Sequence, residues 1–450
     1  MREITVQACV LGVGAGGYGA VYRLLKRGVQ TVAVDRNPDF GGTATFCGVS
    51  GWEPGVTLDG VHTLLAERLE KTGEGFVVEK TSNGNFFAEK RNLYTVDRFD
   101  LFPWGLSVKS ERGYESTLKR CPPLRGEQPL CRFQFDEDAM KRAMHAVLAP
   151  YKQWLTALFG YSFVACETDG RYVRSVTVEN GEERVKIKAD YFIDGTGEIV
   201  LAHGAGCQTR IGTESPTEYG EPSAVDHGQI NGVTYCFRFQ KTENSAHIDE
   251  LPSWCEEVED EVWLREKRSR TVSCFTFYPN GDVNVNMLPT MEGKEYFALG
   301  ARADEVGRAR VYHYWRYLQT EKGLQGFTLT KIFDAGVREG RRLVGRYVLT
   351  ENDVRAGMNN PRFGEMPIVA VADHALDIHG SNGLCKELLS PYGVPLSCAL
   401  PKEYDNLAVA SRGASFTHIA SSSVRLIRTM LSFGEGVGEY VADQILLSLT

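Results

Sequence analysis

Hydrophobic and polar positions change period twice within the first thirty-five residues. Ala8 to Val13 is an apolar run with the character of a strand. After a glycine cluster, Ala20, Val21, Leu24 and Leu25 fall on one helical face, and Gly28 ends that helix. Gln30 to Asp35 then reads as a second strand closing on an acid. The spacing therefore predicts strand, tight turn, helix, strand and acid in immediate succession.

Further along, a helix is predicted from about Val61 to Leu69. The stretch from 73 to 129 has no sustained period and reads as an excursion. A helical pattern returns over Phe135 to Trp154, with Asp136 as N-cap ahead of Ala139, Met140, Ala143 and Val147. Three strands follow, Ser162 to Glu167, Tyr172 to Val178 and Val185 to Ile193, separated by Thr168-Asp169-Gly170 and Glu179-Asn180-Gly181. That spacing predicts a β-meander leading into a glycine turn at 195. Between 207 and 330 the pattern turns β-rich, with strands at Val233 to Phe239 and Val272 to Tyr278 and a helical segment near 299 to 321. A strand at Asn406 to Ala410 and a long helical pattern over 419 to 448 complete the chain.

Composition narrows the partners. A net charge of −8 without a long basic run disfavours nucleic acid and anionic membranes, leaving a small-molecule substrate as the expected partner. No apolar stretch reaches the ~20 residues of a membrane helix, so no membrane span is expected. Met1 to Val6 runs directly into the first strand with no signal-peptide pattern, which predicts a cytoplasmic protein. The eleven cysteines contain no CxxC pair and no metal-ligand spacing, so no metal is expected.

Gly12, Gly14 and Gly17 fill the positions of a GxGxxG turn, with Ala15 and Gly16 between them. The first glycine permits the tight turn, the second lets the backbone approach a pyrophosphate, and the third lets helix and strand pack closely. The helix N-terminus adds free N–H groups and a positive dipole end. Asp35 stands where a carboxylate accepts a ribose hydroxyl, with Arg36 beside it.

Three more segments carry a resemblance. Asp35-Arg36-Asn37-Pro38-Asp39-Phe40-Gly41-Gly42-Thr43-Ala44 resembles the acid-to-GGT stretch of the glutathione-reductase-like FAD-binding superfamily. Ile193-Asp194-Gly195-Thr196-Gly197-Glu198 resembles its strand-end turn, with Glu198 where Asp is usual. Asp405-Asn406-Leu407-Ala408-Val409-Ala410-Ser411-Arg412, then Ser421 to Arg425 and Gly434 to Gly438, resembles the C-terminal signature of the FAD-dependent oxidoreductase family, with Ala-Ser-Arg replacing Ala-Gly-Arg.

The resemblance implies an α/β fold: a Rossmann-like, three-layer FAD-binding domain split over 1–206 and 331–450, enclosing a second, β-rich substrate domain over 207–330. It implies FAD as cofactor, held by Gly12, Gly14, Ala15, Gly16, Gly17, Asp35, Arg36, Gly42, Thr43, Ala44, Asp194, Gly195, Thr196, Gly197, Arg412 and Gly436. In the family the last glycine-rich turn opens a helix toward the flavin; alternatively, Gly434, Gly436 and Gly438 let two helices cross. The reaction implied is hydride transfer between a small polar metabolite, such as a carbohydrate or hydroxy acid, and flavin N5.

Catalytic candidates lie after 330. Arg338 and Arg342, in a stretch resembling the family's RESRRivG element, are suited to clamping a carboxylate, hydroxyl or oxyanion. The competing reading is a surface helix whose arginines pair with Glu339, Glu351 and Asp353. His379 is the first choice of base and Tyr392 a second polar contact, with His418 below them. Cys47 and Trp52 are candidates to lie over the flavin ring. The absence of a Cys-x4-Cys pair argues against a disulfide reductase, and without a second GxGxxG the electron acceptor stays open. A fumarate-reductase-like enzyme, an RNA-modifying flavoprotein and a non-catalytic FAD sensor are the alternatives.

Overall fold

The computed structural model describes residues 1–448 except 53–59, 80, 83–94, 97–130, 226–227, 256–273, 279, 287–289, 381–382 and 387. Most of the 73–129 excursion and the acidic stretch 256–261 thus lie outside the described residues.

A parallel sheet organises the N-terminal half. Strand β1 (Arg2–Leu11) pairs with β2 (Thr31–Asp35) on one side and with Arg184–Asp194 on the other, and β2 pairs in turn with Leu155–Phe159. The end of Arg184–Asp194 also takes Leu407–Val409 as a parallel neighbour, through Phe192↔Leu407 and Asp194↔Val409. Its beginning pairs antiparallel with Tyr172–Glu179, which pairs with Ser162–Asp169, so the predicted meander is present. Leu155–Phe159 has no counterpart in the sequence reading.

Helix α1 (Ala15–Lys26) packs on this sheet and against the C-terminal helix Ile427–Leu447. The contact is intimate because small residues meet: a Cβ on Gly438 would lie 2.9 Å from the Ala20 Cα, and one on Gly19 would lie 3.0 Å from the Glu435 nitrogen. Gly434, Gly436 and Gly438 all sit inside the helix rather than in a turn that opens one; Gly434 and Gly438 let it cross α1, while Gly436 faces Val369. The long pattern over 419–448 is divided into His418–Val424 and Ile427–Leu447 by the extended Leu426, ψ 145°. Asp136 caps Glu137–Leu148 as expected, accepting from the Asp138 and Ala139 amides.

A second hydrophobic core joins Tyr235, Phe237, Phe239, Val283, Val285, Tyr314, Trp315 and Leu318. Its sheet runs Phe327–Ile332, Phe237–Lys241, Val283–Asn286, Cys274–Phe277 and Thr81–Ser82, with the helix Ala303–Glu321 against it. The excursion therefore lends this sheet an edge strand. The expected strand Val233–Phe239 is two strands, Val233–Thr234 and Phe237–Lys241, in different sheets. Residues 338–345 form no helix: Gly336–Val337 pairs with Val233–Thr234, and Arg342–Leu343 with Thr209–Arg210. Among the described residues, no helix is long and apolar enough to cross a membrane.

Candidate functional site

The carboxyl ends of β1, β2, Arg184–Asp194 and Leu407–Val409 place four bends side by side. Backbone hydrogen bonds tie them: Gly12 N–H to Val34 O at 2.7 Å, Gly195 N–H to Leu11 O at 2.7 Å and Ala410 N–H to Asp194 O at 2.8 Å. Gly12 has φ +86°, and a Cβ there would come within 2.5 Å of the Thr196 nitrogen. A Cβ on Gly17 would lie 2.9 Å from the Gly12 carbonyl carbon, so both glycines serve the close packing of the bends. Gly14 differs. A Cβ there would meet only the Gly42 Cα, at 4.0 Å, so the open side of the turn is at Gly14, facing the Gly41-Gly42-Thr43-Ala44 bend. That bend docks through Gly41 N–H to Val13 O at 3.0 Å.

The two acids behave differently. Asp35 accepts the Val13 N–H at 2.7 Å and the Asn37 N–H at 2.8 Å, and burial raises its pKa against both donors. Two accepted bonds leave lone pairs for a further donor. Asp194 is fully buried: one oxygen takes the Thr196 N–H and hydroxyl, the other the Leu201 and Ala202 amides. Burial pushes its pKa up to about 6 against these donors, and it orders the turn rather than facing outward. In that turn Ile199 is left-handed, φ +43°, an uncommon conformation for a β-branched residue. The bend aims Glu198 at the Arg341 N–H, 3.1 Å away, and at Arg412, 3.8 Å away. Ser411, at the family's glycine position, bonds the Gly413 N–H through its hydroxyl at 3.1 Å, so the departure is absorbed locally.

Arg412 lies over Gly197, where a Cβ would come 2.7 Å from the guanidinium carbon. Tyr296, which sequence reasoning missed, sits in the field of Arg36, Glu198, Cys47 and Arg412; burial is the main cause of its raised pKa. Nothing in its local sequence marks it, because it arrives from the helix Gly293–Leu299. This donor set fits a dinucleotide: an open glycine backbone at 14 and 42, a carboxylate with spare acceptors at 35, and cations at 36 and 412. Cys47 donates to Ala335 O at 3.3 Å, and burial pushes its thiol up to about 12, so it carries no thiolate near neutrality. Trp52 is 2% exposed and packs among Phe133 and Phe135.

His379 and Asp377 form a pair, Nε2 to Oδ2 at 2.7 Å. Burial, then the Arg338 charge, lowers the imidazole to about 4, while Asp377 raises it. Arg425 donates to the Asp377 carbonyl at 3.0 Å. Arg338 donates to Gly232 O at 2.9 Å and to the Thr234 hydroxyl at 2.7 Å. Burial, then Arg425, lowers Arg338 to about 10, so two guanidiniums and an imidazole share one neighbourhood.

Three sequence-predicted residues are placed elsewhere. Arg342 is fully buried and bound to Glu214 at 3.0 Å and Glu339 at 3.3 Å, an internal clamp with no open face. Tyr392 is fully buried with its hydroxyl on Ser423 at 2.7 Å. A Cβ on Gly436 would lie 2.9 Å from a Val369 methyl, so this glycine faces neighbouring protein.

A family model described as FAD dependent oxidoreductase matches residues 7–445. No curated protein matches. Solved structures that match the chain include a geranylgeranyl bacteriochlorophyll reductase-like protein from Thermoplasma acidophilum, at 12% identity and TM-score 0.43, covering 99% of this chain and 79% of that one. Others are a p-nitrophenol 4-monooxygenase from Pseudomonas putida DLL-E4, at 11% identity, TM-score 0.41 and coverage of 100% and 81%, and a flavin-dependent brominase, at 9% identity, TM-score 0.44 and coverage of 98% and 80%. With the family match running through nearly every element described above, the chain belongs to the FAD-dependent oxidoreductases and is an enzyme that uses FAD.

Proposed function

We propose that this enzyme moves a hydride between a carbon of a small polar metabolite, a carbohydrate or hydroxy acid, and flavin N5, with His379 handling the accompanying proton. FAD, when bound, supplies the two-electron acceptor or donor. In this reading Gly14, Ala15 and Gly42 to Ala44 present backbone to the pyrophosphate. Gly12, Gly16, Gly17 and Gly195 to Gly197 hold the bends together. Asp35 takes a ribose hydroxyl, and Arg36 and Arg412 supply positive charge.

The observation that carries the catalytic assignment is the His379–Asp377 pair beside Arg338 and Arg425. A carboxylate on Nε2–H fixes the ring tautomer and leaves Nδ1 as the proton acceptor. Depression of its pKa keeps the ring neutral near pH 7, as a base must be. The neighbouring guanidiniums are suited to a substrate carboxylate or a developing oxyanion. Residues 207–330 we assign to the substrate side.

Mixing oxidised holoenzyme anaerobically with sugars, hydroxy acids and amines tests this: one class should bleach the flavin, and His379→Ala should slow bleaching without releasing FAD. Loss of FAD, or an unchanged rate, removes His379 as the base. Bleaching by none of them favours a sensor. A second reading, reduction of a dicarboxylate, draws on the same pairing of Arg338 and Arg425 with His379; it requires the dithionite-reduced enzyme to be reoxidised by fumarate.

A further inference from the structure

Apart from the glycine-lined bends, the described residues line a partly open cavity of about 210 Å³. Its wall combines Glu214, Glu221 and His418 with Val225, Ile378 and Leu384, and no lysine or arginine is among its described lining residues. Two features of that wall call for a ligand.

First, Glu221 is 6% exposed and has no cation within ion-pair distance among the described residues. One of its oxygens takes the Glu351 N–H at 2.7 Å and the Thr417 hydroxyl at 2.5 Å; the other accepts no bond from them. Its neighbours differ: Glu214 is paired with Arg342, and Glu351 with Arg355 at 2.6 Å. Second, His418 is 2% exposed and its Nε2 has no hydrogen-bond partner. Its Nδ1 lies 2.7 Å from Glu339 Oε2, and Glu339 is held ionised against its burial by the Arg342 charge and by hydrogen bonds from His418 and the Asn231 amide. An ionised carboxylate only accepts, so Nδ1 carries the hydrogen, and in the neutral ring Nε2 offers a lone pair.

A buried carboxylate without a counter-ion and a buried nitrogen lone pair without a donor require the same thing, a group rich in N–H and positively charged. The aliphatic wall requires an apolar body behind it. We propose that this cavity binds a small primary ammonium compound with a short apolar body, its N–H groups directed to Glu221 and to His418 Nε2. An anion is disfavoured by Glu214 and Glu221; burial, with the Glu214 and Glu351 charges, raises the Glu221 pKa, and a neutral alcohol brings no positive charge to offset this. The assignment does not depend on the hydride-transfer reading, because it concerns binding alone.

Calorimetric titration of FAD-loaded protein at neutral pH with n-butylammonium, n-butanol and butyrate tests it. Butylammonium should saturate one site, butanol should bind about ten-fold more weakly or worse, and butyrate should not bind. Glu221→Gln keeps an acceptor for the Glu351 amide and should weaken butylammonium by about ten-fold. Ala224→Phe, which fills the cavity, should abolish binding. Flavin absorbance per protein should stay constant throughout, so a negative result leaves the FAD assignment standing. No saturable binding of butylammonium, equal binding of butanol, or an Ala224→Phe protein that binds like the native one overturns the proposal.

Discussion

Gly434 rests against the backbone of Gly16: a Cβ on Gly434 would lie 2.7 Å from the Gly16 carbonyl carbon and 3.0 Å from its Cα. Backbone atoms cannot rotate away, so Gly434→Ala must push the C-terminal helix off α1. Overpacking of this kind costs about 1–3 kcal/mol. Gly14→Ala is the contrasting case, since its Cβ enters open space and its φ of −63° suits alanine. We expect Gly434→Ala to lower the denaturation midpoint of the apoprotein. Gly14→Ala should leave that midpoint unchanged and reduce the flavin bound per protein. Equal flavin content in Gly14→Ala and native protein would remove Gly14 from the pyrophosphate site.

For His379 the expected pH profile follows from its depressed pKa. The imidazole is neutral above about 4, so flavin reduction in a single turnover should stay on its plateau at pH 5.5. A base with the ordinary histidine value of about 6.5 would already have lost about nine-tenths of its rate there. An acid limb centred near 6.5 contradicts the burial argument. The sign for stability agrees: between about 4 and 6.5 the unfolded chain binds the proton and the folded one does not, so acidification through that window favours unfolding. His379→Gln should flatten this part of the melting-temperature profile.

The parts of this fold that were legible in the sequence are those set by local rules. Strand, glycine turn, helix and acid over residues 8–35 depend on neighbours a few positions apart, as do the Asp136 cap and the meander. Leu155–Phe159 was hidden because it follows the helical segment directly and two of its five residues are exposed. The run Arg338-Glu339-Gly340-Arg341-Arg342 reads as a solvated helix until Glu214, 128 residues earlier, arrives to neutralise Arg342. Gly434 and Gly438 look like a turn because glycine disfavours helices; close contact with α1 overrides that preference. Tyr296 was invisible, since only tertiary packing brings it to Arg412.

Arg342 should act on stability rather than on the substrate. Its guanidinium compensates two buried carboxylates, Glu214 and Glu339, and removing one partner of a buried pair typically costs about 3–5 kcal/mol. Arg342→Met should therefore lower the urea midpoint strongly. Arg338→Met, from a half-buried guanidinium with neutral acceptors, should instead slow flavin reduction with a smaller loss of stability. The reverse order would reinstate Arg342 as a substrate clamp.

Glu435 gives a pH effect of opposite sign. It sits on the C-terminal helix, accepts the Val61 N–H at 2.6 Å, and is pushed up to about 7 by burial, with the Val61 amide, Arg23 and Lys26 working the other way. Its folded pKa lies above the ordinary value of 4.5, so the folded state holds the proton more tightly than the unfolded chain. The stability this adds is fully present below about 4.5 and is lost as pH rises through about 7. At about 1.4 kcal/mol per pKa unit, the loss amounts to about 3 kcal/mol. Glu435→Gln preserves an acceptor for Val61 and cannot ionise. The variant should match native stability near pH 5 and exceed it at pH 8, measured by urea unfolding at both values. If the native protein is equally stable at the two pH values and the variant gains nothing at pH 8, the carboxylate is already ionised in the fold, and solvent or an unrecognised cation must reach it.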